Sequence, residues 1–210
     1  MIKNKLVLFI FFIYFISFGL IKNGHACLGK TLTIGYKNFA EQKILAEVLY
    51  VIITERTGTT VVLKSFNSTK ECYEALMKGE INLYVEYIGA TYSEILHKDN
   101  LQTESEKEKI LELIKDNYSQ KKNLIVLNAF GFESIAPENE YLRKKRLPLT
   151  ATPIIGKETL NMFPILPSLL NKLGGKIDTP SIKALIKLVE KDNMNPRTAV
   201  QNFLKIKKLI

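Results

Sequence analysis

Hydrophobic and polar positions fall into blocks whose period changes along the chain. Leu32-Thr33-Ile34 is a short β-prone run stopped by Gly35. The apolar residues Ile44, Leu45, Val48, Leu49, Ile52 and Ile53 then recur at helical spacing, with Lys43, Glu47 and Glu55 directed elsewhere. Asn38, three residues before Glu41, gives that helix a start resembling a capping box, and Gly58 supplies its stop. Thr60 to Phe66 reads as a second strand, and Lys70 to Lys78 as a helix around Cys72, Ala75 and Leu76, ended by Gly79. Ile81, Leu83 and Val85 alternate with Asn82, Tyr84 and Glu86, which predicts a third strand with one apolar face. Both strand-to-helix turns, at Lys37-Asn38 and at Tyr87 to Thr91, fall at carboxyl ends of strands, where open α/β sheets bind small ligands, so they are expected to face one cleft.

The rest of the chain continues in helices. Ile110, Leu111, Ile114 and Tyr118 form a stripe on a helix from about Glu104, whose first turn is acidic, and Asn123 to Leu127 reads as a strand. Pro164 to Leu173 is helical, with Leu166, Leu169, Leu170 and Leu173 on one face, and Gly174-Gly175 ends it. Asp178 or Thr179 caps the next helix, with Pro180 near its first position, and Asn195-Pro196 repeats that start for the last one.

The first 26 residues belong to a different class. Lys3 and Lys5 precede an apolar or small-residue run from Leu6 to Ile21, followed by small residues three and one positions before Cys27. This is the layout of a cleaved export signal, and the run is slightly short for a membrane span. Cleavage after Ala26 leaves Cys27 as the first mature residue, where a lipoprotein is acylated, although Gly24 stands where such a signal usually has Leu. Cys27 and Cys72 can form one disulfide or remain two unrelated thiols, and two cysteines make no metal site. Removing the leader from 210 residues leaves 184, enough for one packed domain, and takes away three lysines, so the net charge falls from +9 to +6. The remaining positive charge is scattered over Lys183 to Lys191 and Lys205 to Lys208, without the basic stripe and interleaved aromatics of a nucleic-acid binder. A solvated surface near anionic lipid suits it better. His97 is alone outside the leader, so no metal cluster, cofactor site or Ser-His-Asp set emerges, and enzyme activity is not expected.

Two blocks carry a family resemblance: Gly35-Tyr36-Lys37-Asn38-Phe39-Ala40-Glu41-Gln42, and Asn82-Leu83-Tyr84-Val85-Glu86-Tyr87-Ile88-Gly89-Ala90. At this separation, with these elements between them, they resemble the first lobe of the substrate-binding proteins of osmoprotectant ABC importers, which take up glycine betaine, choline, carnitine and related compounds. The resemblance implies an α/β fold in which a periplasmic-binding-protein-like lobe 1, a mixed sheet flanked by helices, is completed by C-terminal helices. Residues 27–132 would form its first part. Thr152 to Leu160 resembles the family's returning segment, so residues 153–210 would complete the lobe. Between them only the short, polar stretch 133–152 stands where the family has an entire second lobe. The second lobe is therefore expected to be largely absent.

The resemblance also implies roles. Tyr87 matches an aromatic-cage tyrosine that would hold a quaternary ammonium by cation–π attraction, and Lys37 with Asn38 lies where the family contacts the anionic end of the ligand. Ile88 and Ala90 replace two family threonines, and Thr91 is the candidate replacement. With one open wall, betaine binding by this chain alone is expected to be weak. Two functions follow: an exported solute-binding component of an osmoprotectant importer, working with a membrane permease and an ATPase, or a non-binding structural or interaction protein derived from that lobe. Self-association or a separate chain carrying the second lobe would fill the gap.

Overall fold

The computed structural model describes residues 30–98 and 104–210. The expected export leader with Cys27, and the loop expected ahead of Glu104, lie outside the described residues. Five strands form one mixed sheet in the order β2-β1-β3-β5-β4. They are β1 Thr31–Lys37, β2 Thr60–Phe66, β3 Leu83–Tyr87, β4 Leu124–Val126 and β5 Ala151–Gly156. β1 runs parallel to β2 and β3, while β5 is antiparallel to both β3 and β4. Besides the short helical turns Ile88–Ala90 and Thr91–Ile95 after β3, the α-helices are α1 Ala40–Thr57, α2 Thr69–Met77, α3 Glu104–Lys121, α4 Glu140–Lys144, α5 Thr159–Met162, α6 Leu166–Leu170, α7 Thr179–Glu190 and α8 Pro196–Ile206. Residues 153–210 thus return to the sheet that 30–132 begins, as the expected α/β lobe with C-terminal helices requires. Among the described residues there is no second sheet.

The central position of β3 decides its character. All five of its residues are buried, because helices cover both faces of a strand flanked on each side by others. Leu83, Val85 and Tyr87 join the larger core under α1, while Tyr84 packs with Cys72, Ile114 and Tyr118 on the other face. The expectation of one apolar face on β3 is therefore corrected: both faces are interior, and Glu86 is buried with them. α1 is likewise buried almost all round. Glu47, expected on its solvent side, is covered and held by Arg197 of α8, whose Nε lies 2.9 Å from Oε2 and whose guanidinium stacks 3.6 Å from the Tyr50 ring centroid.

Caps explain most boundaries. Gly58 takes a left-handed conformation (φ 66°) and its N–H donates to the Thr54 carbonyl, ending α1. Ser68 caps α2, Asp178 caps α7 by accepting from the Ser181 N–H at 2.9 Å, and Asn195 caps α8. Asn38 does not cap α1. Phe39 holds that position, and Glu41 turns inward to other partners.

The stretch 133–152 is a folded strap. Glu133 bridges Thr150, and Ser134 N–H donates to the Leu149 carbonyl. A 3-10 turn (Pro137–Asn139) leads into α4, and the Arg143 guanidinium donates to the carbonyls of Ser134 and Ala136. Leu142, Leu147 and Leu149 share the core that contains Tyr87. The strap returns across Gly89, whose N–H donates to the Pro148 carbonyl at 2.6 Å. A Cβ on Gly89 would lie 2.6 Å from that oxygen, so only glycine allows so close an approach.

Candidate functional site

The carboxyl ends of β1 and β3 bring Lys37 and Tyr87 together, as the spacing of the two sequence blocks predicts. Lys37 is buried at the last position of β1. Its Nζ lies 2.5 Å from Glu86 Oε1, donates to Thr69 Oγ1 at 3.1 Å, and sits 4.7 Å from the centroid of the Tyr87 ring and 5.9 Å from that of Phe39. The rings of Phe39 and Tyr87 are stacked, 6.4 Å apart and inclined by 20°. A protonated amine against two aromatic faces, with a carboxylate beside it, is the arrangement that holds an ammonium ion. Here the ion is part of the chain.

Glu86 is wholly enclosed, and its Oε1 also accepts from the Tyr87 N–H at 2.8 Å. Removing a carboxylate from water is costly unless an opposite charge and donors replace it; Lys37 and that N–H do so at Oε1, while the buried Oε2 has no hydrogen-bond partner. Tyr87 is fully buried too. Its hydroxyl donates to Glu41 Oε1 at 2.5 Å, and Glu41 Oε2 accepts from the Ile135 N–H of the strap at 3.0 Å. Burial, then the neighbouring Glu41 charge, pushes the Tyr87 phenol well above its usual range, so it remains a neutral donor. The expected open cleft in front of Tyr87 is thus corrected. The strap and Glu41 close over the ring, because Leu142, Leu147 and Leu149 bury apolar surface in the same core as Tyr87.

The other expected site residues divide. Asn38 is exposed, and its N–H donates to the Phe66 carbonyl. It lines a cavity of about 310 Å³ together with Lys37, Phe39 and Thr69. Glu94, Glu138 and Tyr141 also line it, and the Tyr141 hydroxyl donates to Glu94. Thr91 does not line this cavity. It is fully buried next to the Tyr118 phenol, on the α3 side of the sheet. Cys27 lies outside the described residues. Glu86, Glu41 and the strap residues Glu138 and Tyr141 were not singled out as site residues from sequence. For Glu86 a signal existed: a carboxylate in a central strand needs a buried cation, and Lys37 lies one strand away.

Nearby nucleophiles are quiet. Cys72 is a buried free thiol, and burial together with the Glu86 charge pushes it up to about 12. Among the described residues no group of three or more His, Cys, Asp or Glu side chains could hold a metal ion, and no helix is long and apolar enough to cross a membrane.

Comparison with known proteins bears on the fold and the family. The chain is similar in fold to a glycine betaine/carnitine/choline ABC transporter structure, with a TM-score of 0.71 at 16% identity over 86% of this chain and 98% of that one. Apo YehZ from Escherichia coli gives 0.71 at 13% identity, covering 87% and 100% of the two chains. An ABC-transporter choline binding protein in complex with choline gives 0.52 at 12% identity, covering 85% and 89%. At such identities these likenesses establish the fold alone. No curated protein sequence matches the chain. Residues 30–136, just over half of the 210, match the family described as the substrate binding domain of ABC-type glycine betaine transport system. They include β1, β3 and the Lys37–Glu86–Tyr87 cluster, and on that match the chain belongs to this family of substrate-binding domains.

Proposed function

We propose that this chain is an exported solute-binding component of an ABC importer of the glycine betaine and choline class, one whose ammonium position is filled by its own Lys37. One observation carries the reading: the Lys37 ammonium rests 4.7 Å from the Tyr87 ring centroid while paired to buried Glu86. A quaternary ammonium at that ring would have to displace a cation already matched to a carboxylate. Its competitor is covalently held, and so has an effective concentration no dilute ligand equals. The carboxylate end of a betaine would also meet Glu94 and Glu138, which line the same cavity. Binding by the chain alone is accordingly weak, and transport depends on a membrane permease together with a second copy or a separate chain that completes the cavity beside Lys37. Residues 1–26 act as the export signal, and Cys27 becomes the mature N-terminus.

Calorimetric titration of the processed chain with glycine betaine, choline and carnitine tests this directly. The expected result is no saturable heat below millimolar ligand. A micromolar dissociation constant for any of the three would overturn the reading. The closed strap equally suits a non-binding interaction protein, and co-purification with an importer permease separates the two: capture supports the transport component, and its absence supports the interaction protein.

A further inference from the structure

The C-terminal helices carry a surface that the ligand site leaves unexplained. α7 and α8 run antiparallel, and between the start of one and the end of the other lies an open, largely apolar groove of about 440 Å³. Ala184, Leu188, Met194, Phe203 and Ile206 line it, and Ile206 is 79% exposed, the most of any large hydrophobic side chain among the described residues. Such exposure of a branched aliphatic side chain is costly in water, and contiguous apolar surface with a polar rim marks an interaction site.

Lys207 lines the groove, and the exposed surface of the two helices is cationic. Lys183, Lys187 and Lys191 are exposed along α7, and Lys205, Lys207 and Lys208 are exposed around the end of α8. Against these six charges stand three carboxylates. Asp178 is engaged in capping α7 and lies near Lys207, and Glu190 and Asp192 sit at the far end of α7. Arg197 is not counted among the six charges, since Glu47 holds it. Lys207 arches its stem over the Phe203 ring, its Nζ 5.9 Å from the centroid, leaving an amine at the edge of an apolar strip.

The placement in the fold agrees with docking. The Arg56 guanidinium at the end of α1 donates to the Leu209 carbonyl, so the end of α8 lies where α1 turns through Gly58 into the start of β2. That is the amino end of the parallel strands, opposite the end where Lys37 and Tyr87 meet. A surface held there leaves the cavity beside Lys37 uncovered.

We propose that the α7–α8 face docks on an anionic phospholipid surface, with Ile206 and the groove entering the acyl boundary and Lys207, with its chain neighbours Lys205 and Lys208, lying among the headgroups. Apolar side chains flanked by long cationic ones suit this interface, because lysine stems cross the apolar layer while their amines reach the phosphates. The inference stands apart from the assignment of the Lys37 site.

Vesicle co-sedimentation tests it, using the chain from residue 27 with Cys27→Ser so that no acyl anchor contributes; the described residues contain both core clusters. Binding is expected to vesicles of three parts phosphatidylcholine to one part phosphatidylglycerol at low salt, to fall steeply in half-molar sodium chloride, and to be absent with phosphatidylcholine alone. At about five-fold in partitioning per lysine near an anionic surface, Lys205→Glu/Lys207→Glu/Lys208→Glu lowers binding about a hundredfold or more. Ile206→Ser lowers it about ten-fold with charge unchanged. All four residues are exposed, and circular dichroism confirms that the variants fold. Equal binding to neutral vesicles, no binding to either kind, or binding unchanged in the triple variant overturns the proposal. Retention on immobilised polyglutamate without vesicle binding also overturns it, and assigns the face to an acidic protein partner.

Discussion

Replacing Lys37 by methionine keeps most of the side-chain volume and removes the charge. Glu86 then remains inside, still accepting the Tyr87 N–H but without a cation. Breaking a buried ion pair from one side costs about 3–5 kcal/mol, whereas an exposed pair is worth about 1 kcal/mol or less. Burial of both partners places this pair in the first class. Against a typical domain stability of about 5–15 kcal/mol, the loss is large enough to measure and leaves some variants marginal. Urea unfolding followed by far-ultraviolet circular dichroism suits the chain, which contains no tryptophan. The double variant Lys37→Met/Glu86→Gln removes the stranded charge while keeping an acceptor for the Tyr87 N–H, and is expected to recover about half or more of the loss. If the single variant costs under about 1 kcal/mol, or the double variant is as unstable as the sum of the two singles, the buried-pair account is refuted.

Four further outcomes are expected. Lys37→Ala opens space beside Glu86, Tyr87 and Phe39, so millimolar choline should raise the melting temperature of that variant and leave the parent unchanged; equal responses would count against an occupied ammonium position. Gly89→Ala forces a Cβ to 2.6 Å from the Pro148 carbonyl oxygen and 2.7 Å from Leu147 Cβ, with an expected cost of about 1–3 kcal/mol in urea unfolding. Cys72 should resist alkylation at pH 8 in the native protein and react once urea unfolds it, as peptide mass mapping would record. Burial raises the phenols of Tyr84, Tyr87 and Tyr118 above the ordinary value near 10, so their contribution is fully present below about pH 10 and lost as pH rises through their folded values. Phenolate absorbance from these three should therefore appear together with the loss of circular dichroism, and ionisation of all three before unfolding would contradict the burial.

The sequence alone determined the elements whose periodicity and punctuation are local. Gly58 ends α1, Asp178 opens α7 and Asn195 opens α8 because each cap satisfies backbone groups within a few residues of itself. It also placed Lys37 and Tyr87 at neighbouring strand ends, because both follow from where a strand stops. Pairing across the sheet decided the rest. Glu86 and Glu47 look like solvent-facing residues by period, and only the layers above them bury them, with Lys37 and Arg197 supplying the opposite charges. The residues that close over Tyr87 lie 46 and more positions away, at Glu41 and in the strap, and a polar run containing Arg143 to Arg146 gives no local sign that its three leucines will enter the core. Whether the aromatic position is open or filled is a property of distant segments meeting, since burial is a sum over neighbours that no local pattern records.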